Sequence, residues 1–181
     1  GKKISIRFDG IYRNANVWVN GFFLGNNFSG YTGAEYDISD FLEYNKQNTI
    51  VVRADATQYE GWFYEGAGLY RHVWLKKKNA FHINENVVFI HSKQTSKSAV
   101  VSVEIPVVND RSNVVNGNVY TYITDRNGKL IGKSQKVVFN VLANQNAKIV
   151  QKVNVPDARF WSVEDPYLYR VITILKSGNK T

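Results

Sequence analysis

The sequence predicts an all-β protein built from two sandwich units. Three observations carry that expectation. Apolar and polar residues alternate along most of the chain, and nowhere does a helical period persist for even three turns. Aromatic residues make up 14% of the 181, with 11 Tyr and 4 Trp, a content that suits sheets and carbohydrate or protein surfaces. A short polar and basic stretch, Lys76–Asn79, separates two sets of alternating segments and reads as a linker between domains.

Composition bounds the function classes. With 44% hydrophobic and 21% charged residues the chain buries a real core and is not disordered. It has no Cys, which excludes disulfides, thiolate metal sites and a Cys nucleophile without deciding the compartment. No apolar run approaches the roughly 18 residues of a membrane span. The net charge of +8 is uneven: residues 1–80 carry 10 Lys/Arg against 8 Asp/Glu, and residues 81–181 carry 13 against 7. The only lysine run is Lys76–Lys78, so solvated sheet faces are favoured over a nucleic-acid role.

Taken in order, Lys3–Phe8 is a half-buried strand with Ile4, Ile6 and Phe8 on one face. Ala15–Asn20 is a second strand, and Asn20-Gly21 suits a two-residue type I′ hairpin turn into Phe22–Leu24. Asn26–Gly33 is a loop. Tyr36–Leu42 reads as a strand end running into one helical turn, with Ser39 as a cap. Thr49–Ala54 and Leu69–Leu75 are strands. Beyond the linker come Ala80–His91, Ala99–Val107, Gly117–Thr124, Leu130–Phe139, Ala147–Val155 and Leu168–Lys176, with Asn127-Gly128 as a second hairpin signal. Six strands within about 100 residues are the signature of an immunoglobulin-like sandwich.

The chain is organised around Glu60–Leu75. Residues 60–68 pack two carboxylates, three aromatic rings and three glycines into nine positions. Glycines permit tight backbone, and ring faces offer flat apolar platforms. The stretch reads as a loop forming the mouth of a site, against the plainer reading of a Gly-rich turn with partly buried aromatics. Side chains elsewhere read as structure. Trp18 shares a face with Asn16 and Asn20, opposite Val17 and Val19, and is expected as a core ring under the hairpin. Arg71 is expected buried and paired with Asp9 or Asp37. Pro166 forces Asp165 to be extended, so Trp161–Tyr169 reads as a rigid corner with a packed Trp. His72, His82 and His91 stand in strand sequence without ligand spacing, so no metal site and no cofactor is expected.

Several motifs together carry a resemblance. Phe8-Asp9-Gly10, then Ala15-Asn16-Val17-Trp18-Val19-Asn20-Gly21 with Leu24-Gly25, Gly30-Tyr31, Asp37-Ile38, Asn48 to Arg53 and Trp62 to Leu75, resemble the sugar-binding domain of glycoside hydrolase family 2. That family includes β-galactosidases, β-glucuronidases and β-mannosidases. Trp161-Ser162-Val163-Glu164-Asp165-Pro166-Tyr167-Leu168-Tyr169 is similar to the late motif of the family's immunoglobulin-like domain.

The resemblance implies a partial jelly-roll (galactose-binding-like) sandwich followed by an immunoglobulin-like β-sandwich. Residues 1–78 would be the C-terminal part of the sugar-binding domain, and residues 79–181 the second domain without its last strand. With no Met at position 1, the chain is expected to be a processed or excised piece. The implied partners are a terminal β-linked sugar and a catalytic (β/α)₈ barrel in cis, with no nucleic acid and no membrane. The resemblance places both catalytic glutamates on the barrel, so no residue here is expected to be catalytic. In some members an acidic residue of the Glu60–Leu75 loop hydrogen-bonds the terminal sugar; Glu60 sits closest to that position and Glu65 is next. Trp62, Phe63 and Tyr64 would stack on a sugar face or pack on the barrel. Missing strands would leave Ile4, Ile6 and Phe8 to be covered by a partner chain, possible in a homo-oligomer. The reading of a different class is a stand-alone carbohydrate-binding or adhesion module.

Overall fold

A computed structural model describes residues 2–57 and 66–178. The chain divides into two compact units, residues 1–79 and 80–181. Among the described residues there is no α-helix, and the helical content is two single 3₁₀ turns, Ser39–Phe41 and Glu85–Val87.

The first unit contains β1 (Lys2–Phe8), β2 (Ile11–Tyr12), β3 (Ala15–Val19), β4 (Phe22–Asn27), β5 (Ala34–Asp37), β6 (Ile50–Ala54), β7 (Gly68–Leu69) and β8 (Val73–Asn79). They pair antiparallel as β5-β1-β8, β4-β3-β6 and the short β2-β7. Period-2 alternation sends Ile4, Ile6 and Phe8 of β1 and Ala15, Val17 and Val19 of β3 into one buried cluster with Ile11 and Ile38. Each of the Val, Ile and Phe side chains among them contributes about 1.5–3 kcal/mol on burial. The expectation that Ile4, Ile6 and Phe8 need a partner chain is therefore not met: this unit covers them itself. The same inward face is open one strand away, where Leu75 stands opposite Ile6 and is 70% exposed.

Three local expectations are corrected. Trp18 is not a core ring. The hairpin turns as expected, with φ of 48° at Asn20 and 85° at Gly21, but Val17 and Val19 take the inward face. Trp18 lies half-buried on the outward one, against Phe23 at 5.5 Å. Ser39 does not cap the 3₁₀ turn, whose N-cap is Ile38. Its hydroxyl instead accepts the Ile4 amide (2.8 Å) and donates to Asp37 Oδ1 (2.6 Å), tying the turn to β1. Lys76–Asn79 is strand, not linker: Lys76 pairs opposite Ser5 and Lys78 opposite Lys3. Alternation puts Lys76 and Lys78 on the outward face over the Glu35 carboxylate, with Lys76 Nζ at 2.8 Å and Ser5 Oγ at 2.7 Å. An outward face so charged reads in sequence as a loop.

The second unit contains β9 (Phe81–Ile83), β10 (Phe89–Gln94), β11 (Ala99–Asn109), β12 (Val115–Thr124), β13 (Leu130–Lys133), β14 (Val137–Val141), β15 (Gln145–Val155) and β16 (Arg170–Ser177). One sheet centres on β11, with β15 along one edge and β9 and β10 sharing the other. The second centres on β12, with β16 along one edge and β13 and β14 sharing the other. Two segments expected as single strands are thus each broken. Between β13 and β14 the Ser134 hydroxyl takes the Thr121 amide at 2.9 Å. The core runs from Phe81, Val103, Ile105, Val107, Val119 and Val141 to Ile123, Val153 and Val155. Asn109, fully buried, donates from Nδ2 to the carbonyls of Asn113, Val141 and Leu142 at 2.9–3.0 Å and accepts the Arg111 amide. The corner before β16 is held differently from expectation. Trp161 is 58% exposed rather than packed. A two-pronged Arg159–Asp165 pair closes the corner, with the guanidinium 4.5 Å from the centre of the Tyr167 ring.

Candidate functional site

The residues singled out for sugar contact, Glu60, Trp62, Tyr64 and Glu65, lie outside the described residues, as does Phe63. The frame on either side of them is described. On the entry side, Asp55 follows β6. Its amide donates to Arg13 O (3.0 Å), Oδ1 accepts the Thr57 hydroxyl (2.7 Å) and amide (3.2 Å), and Oδ2 accepts Arg53 Nη2 (2.8 Å). The Thr57 bonds, aided by Arg53, hold its carboxyl below the usual carboxylate range. On the exit side, Gly68 and Leu69 pair with Tyr12 and Ile11. The segment therefore leaves from β6, which lies against β3, and returns onto β2.

Two tyrosine rings knit this frame together. A Cβ at Gly10 would lie 2.8 Å from the Tyr70 ring, and one at Gly30 would lie 2.4 Å from Tyr12 Cδ2, so neither position admits a side chain while those rings stay in place. The Tyr70 hydroxyl donates to Gly30 O at 2.7 Å. Sequence pieces around residues 10, 30 and 70 thus meet at one place. Arg71 is not buried against Asp9 or Asp37 as expected; it is exposed, with its guanidinium 5.1 Å from the Tyr70 ring centre. Asp9 is taken by Trp74 Nε1 (2.7 Å) and Arg7 Nε (3.0 Å), and these bonds hold its carboxyl low. Asp37 is taken by Ser39 and Lys3.

Beside this frame lies an open groove of about 430 Å³. The described residues that line it are Tyr12, Arg13 and Asn14, the loop Phe28–Tyr31, and Asp55. Sequence reading named none of these as contacts except through the Gly30-Tyr31 motif. The available signal was a loop, NNFSGYTG, with two aromatics around glycines. Among the described residues no group of three His, Cys, Asp or Glu side chains is placed to hold a metal. Among the described residues, Asp55 is the one carboxylate lining the groove.

Comparison with known proteins places this architecture. Residues 1–79 match the model of the sugar binding domain of glycosyl hydrolases family 2, and residues 81–181 match the model of glycosyl hydrolases family 2. A β-galactosidase from Bacteroides ovatus is 30% identical over 175 residues, covering 96% of this chain and 20% of the relative. A β-glucuronidase from Formosa agariphila is 27% identical over 202 residues, covering 99% of this chain and 20% of the relative. A crystal structure of a family 2 member from Bacteroides cellulosilyticus is 30% identical with a TM-score of 0.92, covering 99% of this chain and 25% of that one. This chain is a pair of β-sandwich domains of the kind found in glycosidases. It belongs to glycoside hydrolase family 2, with the sugar-binding sandwich first and the immunoglobulin-like sandwich second. It spans about a fifth of the length of the two curated relatives.

Proposed function

We propose that this chain is the non-catalytic β-sandwich part of a retaining β-galactosidase that hydrolyses terminal β-galactosides in carbohydrate metabolism. The match of both domains in family order, to a relative named β-galactosidase at 30% identity, carries the reading. Retention needs two carboxyl groups about 5–5.5 Å apart, one acting as acid/base and one as nucleophile. In this reading both belong to a barrel in cis, and the sandwiches hold the barrel and shape the mouth of its site. Glu60 accepts hydrogen bonds from a hydroxyl of the terminal sugar, and Trp62 and Tyr64 lie against it, with Glu65 beside them. A bond between a charged acceptor and a hydroxyl is stronger than a neutral one, and a site built to pair a hydroxyl penalises its loss. A β-glucuronidase parent is the second reading, favoured by the Formosa agariphila relative.

Kinetics on the full-length enzyme test this. With an aryl β-galactoside, Glu60→Ala lowers kcat/KM by roughly ten- to thousandfold, or about 1.4–4 kcal/mol. Stability changes by less than about 1 kcal/mol, as for an exposed carboxylate. Unchanged kinetics, or a rate loss that follows a loss of fold, removes Glu60 from the site and leaves Glu65 as the next candidate. Faster turnover of the aryl β-glucuronide by the parent enzyme selects the second reading.

A further inference from the structure

We infer that the outward face of the sheet centred on β12, in the second unit, docks an acidic polysaccharide. The four strands of that sheet, β12, β13, β14 and β16, carry no Asp or Glu. Alternation sends Val115, Val119, Thr121 and Ile123 of β12 inward, where they are buried. Tyr120 and Tyr122 therefore point outward, opposite Ile174 and Ile172 of β16. All four are half-buried and form an apolar floor. Cations stand around it. Lys176 lies opposite Asn118 and Arg170 opposite Thr124, toward the two ends of β16. Lys133 pairs opposite Tyr122 and holds its Nζ 4.9 Å from the Tyr120 ring centre. Lys136 meets Lys176, Tyr120 and Asn118 around one depression.

The charge on this face is uncompensated. Elsewhere outward lysines meet carboxylates: Lys76 meets Glu35, and Lys148 of β15 meets Glu104 of β11. Among the described residues Lys133, Lys136, Arg170 and Lys176 make no ion pair. An acidic partner is what complements four such cations. Arg170 and Lys176 are six residues apart on one strand, about 20 Å at the usual strand rise. The face is thus a strip that suits an extended chain of anions rather than a single ion. Three of the four cations are Lys, a hydrated point charge on a flexible stem, which can follow repeated anionic groups. Lys is depleted in packed protein interfaces, which argues against a protein as the occupant. A polysaccharide offers C–H edges to the apolar floor and carboxylate or sulfate groups to the cations. The choice of a polysaccharide over other polyanions rests on the glycosidase reading above.

The test measures binding of the 181-residue chain to immobilised polygalacturonate, with neutral dextran and single-stranded DNA as separate surfaces. Saturable binding to polygalacturonate is expected, and none to dextran. Its affinity should fall by about tenfold between about 50 mM and 200 mM NaCl, as salt screens the contacts. Free galacturonate monomer should not compete, because the strip gains by engaging several groups of one chain. Lys136→Gln and Arg170→Gln, both at exposed positions, should each weaken binding by about two- to fivefold and together by about the product. Lys152→Gln removes the same charge from an exposed position of β15, on the other sheet, and should leave binding unchanged. No saturable binding to polygalacturonate overturns the proposal. An equal loss from Lys152→Gln does the same, since the attraction is then one of net charge. So does tighter binding to the DNA at equal salt, which makes the face a nucleic-acid surface. Neither turnover nor Glu60 enters the assay, so this proposal and the glycosidase reading fail separately.

Discussion

At Asn20 the backbone turns with φ of 48°, and the side chain then works at a distance. Nδ2 donates to Phe41 O (2.8 Å) and Asn48 Oδ1 (2.7 Å), and Oδ1 accepts the Thr49 amide (2.9 Å). The hairpin tip is thereby fastened to the chain entering β6. Asn20→Gly keeps the turn, because glycine adopts positive φ freely, but loses three bonds. We expect a loss of about 1–3 kcal/mol in urea unfolding of the 181-residue chain. A neutral variant would mean that turn geometry is all Asn20 supplies. The turn was legible in the dipeptide Asn20-Gly21; the bonds were not, since their partners lie 21–29 residues away. Trp18 shows the same limit. Alternation separated its face from that of Val17 and Val19 but did not say which face turns inward, because both carry apolar groups.

At the scale of elements, β1, β5 and the 3₁₀ turn meet at Asp37. Burial pushes this carboxyl up, but the Ser39 hydroxyl and amide, with Lys3, outweigh it and leave the pKa below its ordinary 3.8. On acidification the unfolded chain takes its proton first. The stabilisation is therefore fully present above about pH 4 and lost as pH falls through the lower folded value. Ser39→Ala removes one donor, so the Asp37 carboxyl titrates at higher pH in ¹³C NMR, and the acid loss of Tm attributable to this corner becomes smaller. An unmoved Asp37 titration would contradict this account. The element boundaries show what sequence conveyed. Strands with one buried face, such as Lys2–Phe8, were legible almost to the residue. β8 was cut short because its second half is polar, and a lysine-rich outward face looks like a loop until the facing Glu35 is known. Leu130–Phe139 looked continuous because the break at Ser134 depends on Thr121 of a neighbouring strand.

For the molecule as a whole, the proposed division of labour makes this a chain that binds and supports without cleaving. The purified 181-residue polypeptide is expected to release no aglycone from aryl β-galactosides or β-glucuronides above the buffer rate. Turnover abolished by Glu60→Gln or Glu65→Gln would put the chemistry in this chain and sink the division of labour proposed here. The two-sandwich plan was legible because strand periodicity and motif order are local properties. The groove was not, because residues 12–14, 28–31 and 55 become neighbours only when β2, β3 and β6 are in place.

The pairing of β1 with β8 joins two strands far apart in the chain, residues 2–8 against 73–79. On a ribosome adding about 5–20 residues per second, β1 therefore waits on the order of 4–15 s for β8 to be synthesised. Until then, of its two described neighbours, only β5 is there to pair with it. The nascent chain must carry Ile4, Ile6 and Phe8 without their second neighbour through that interval, which makes this the stretch where a chaperone that shields apolar strands has the most to offer.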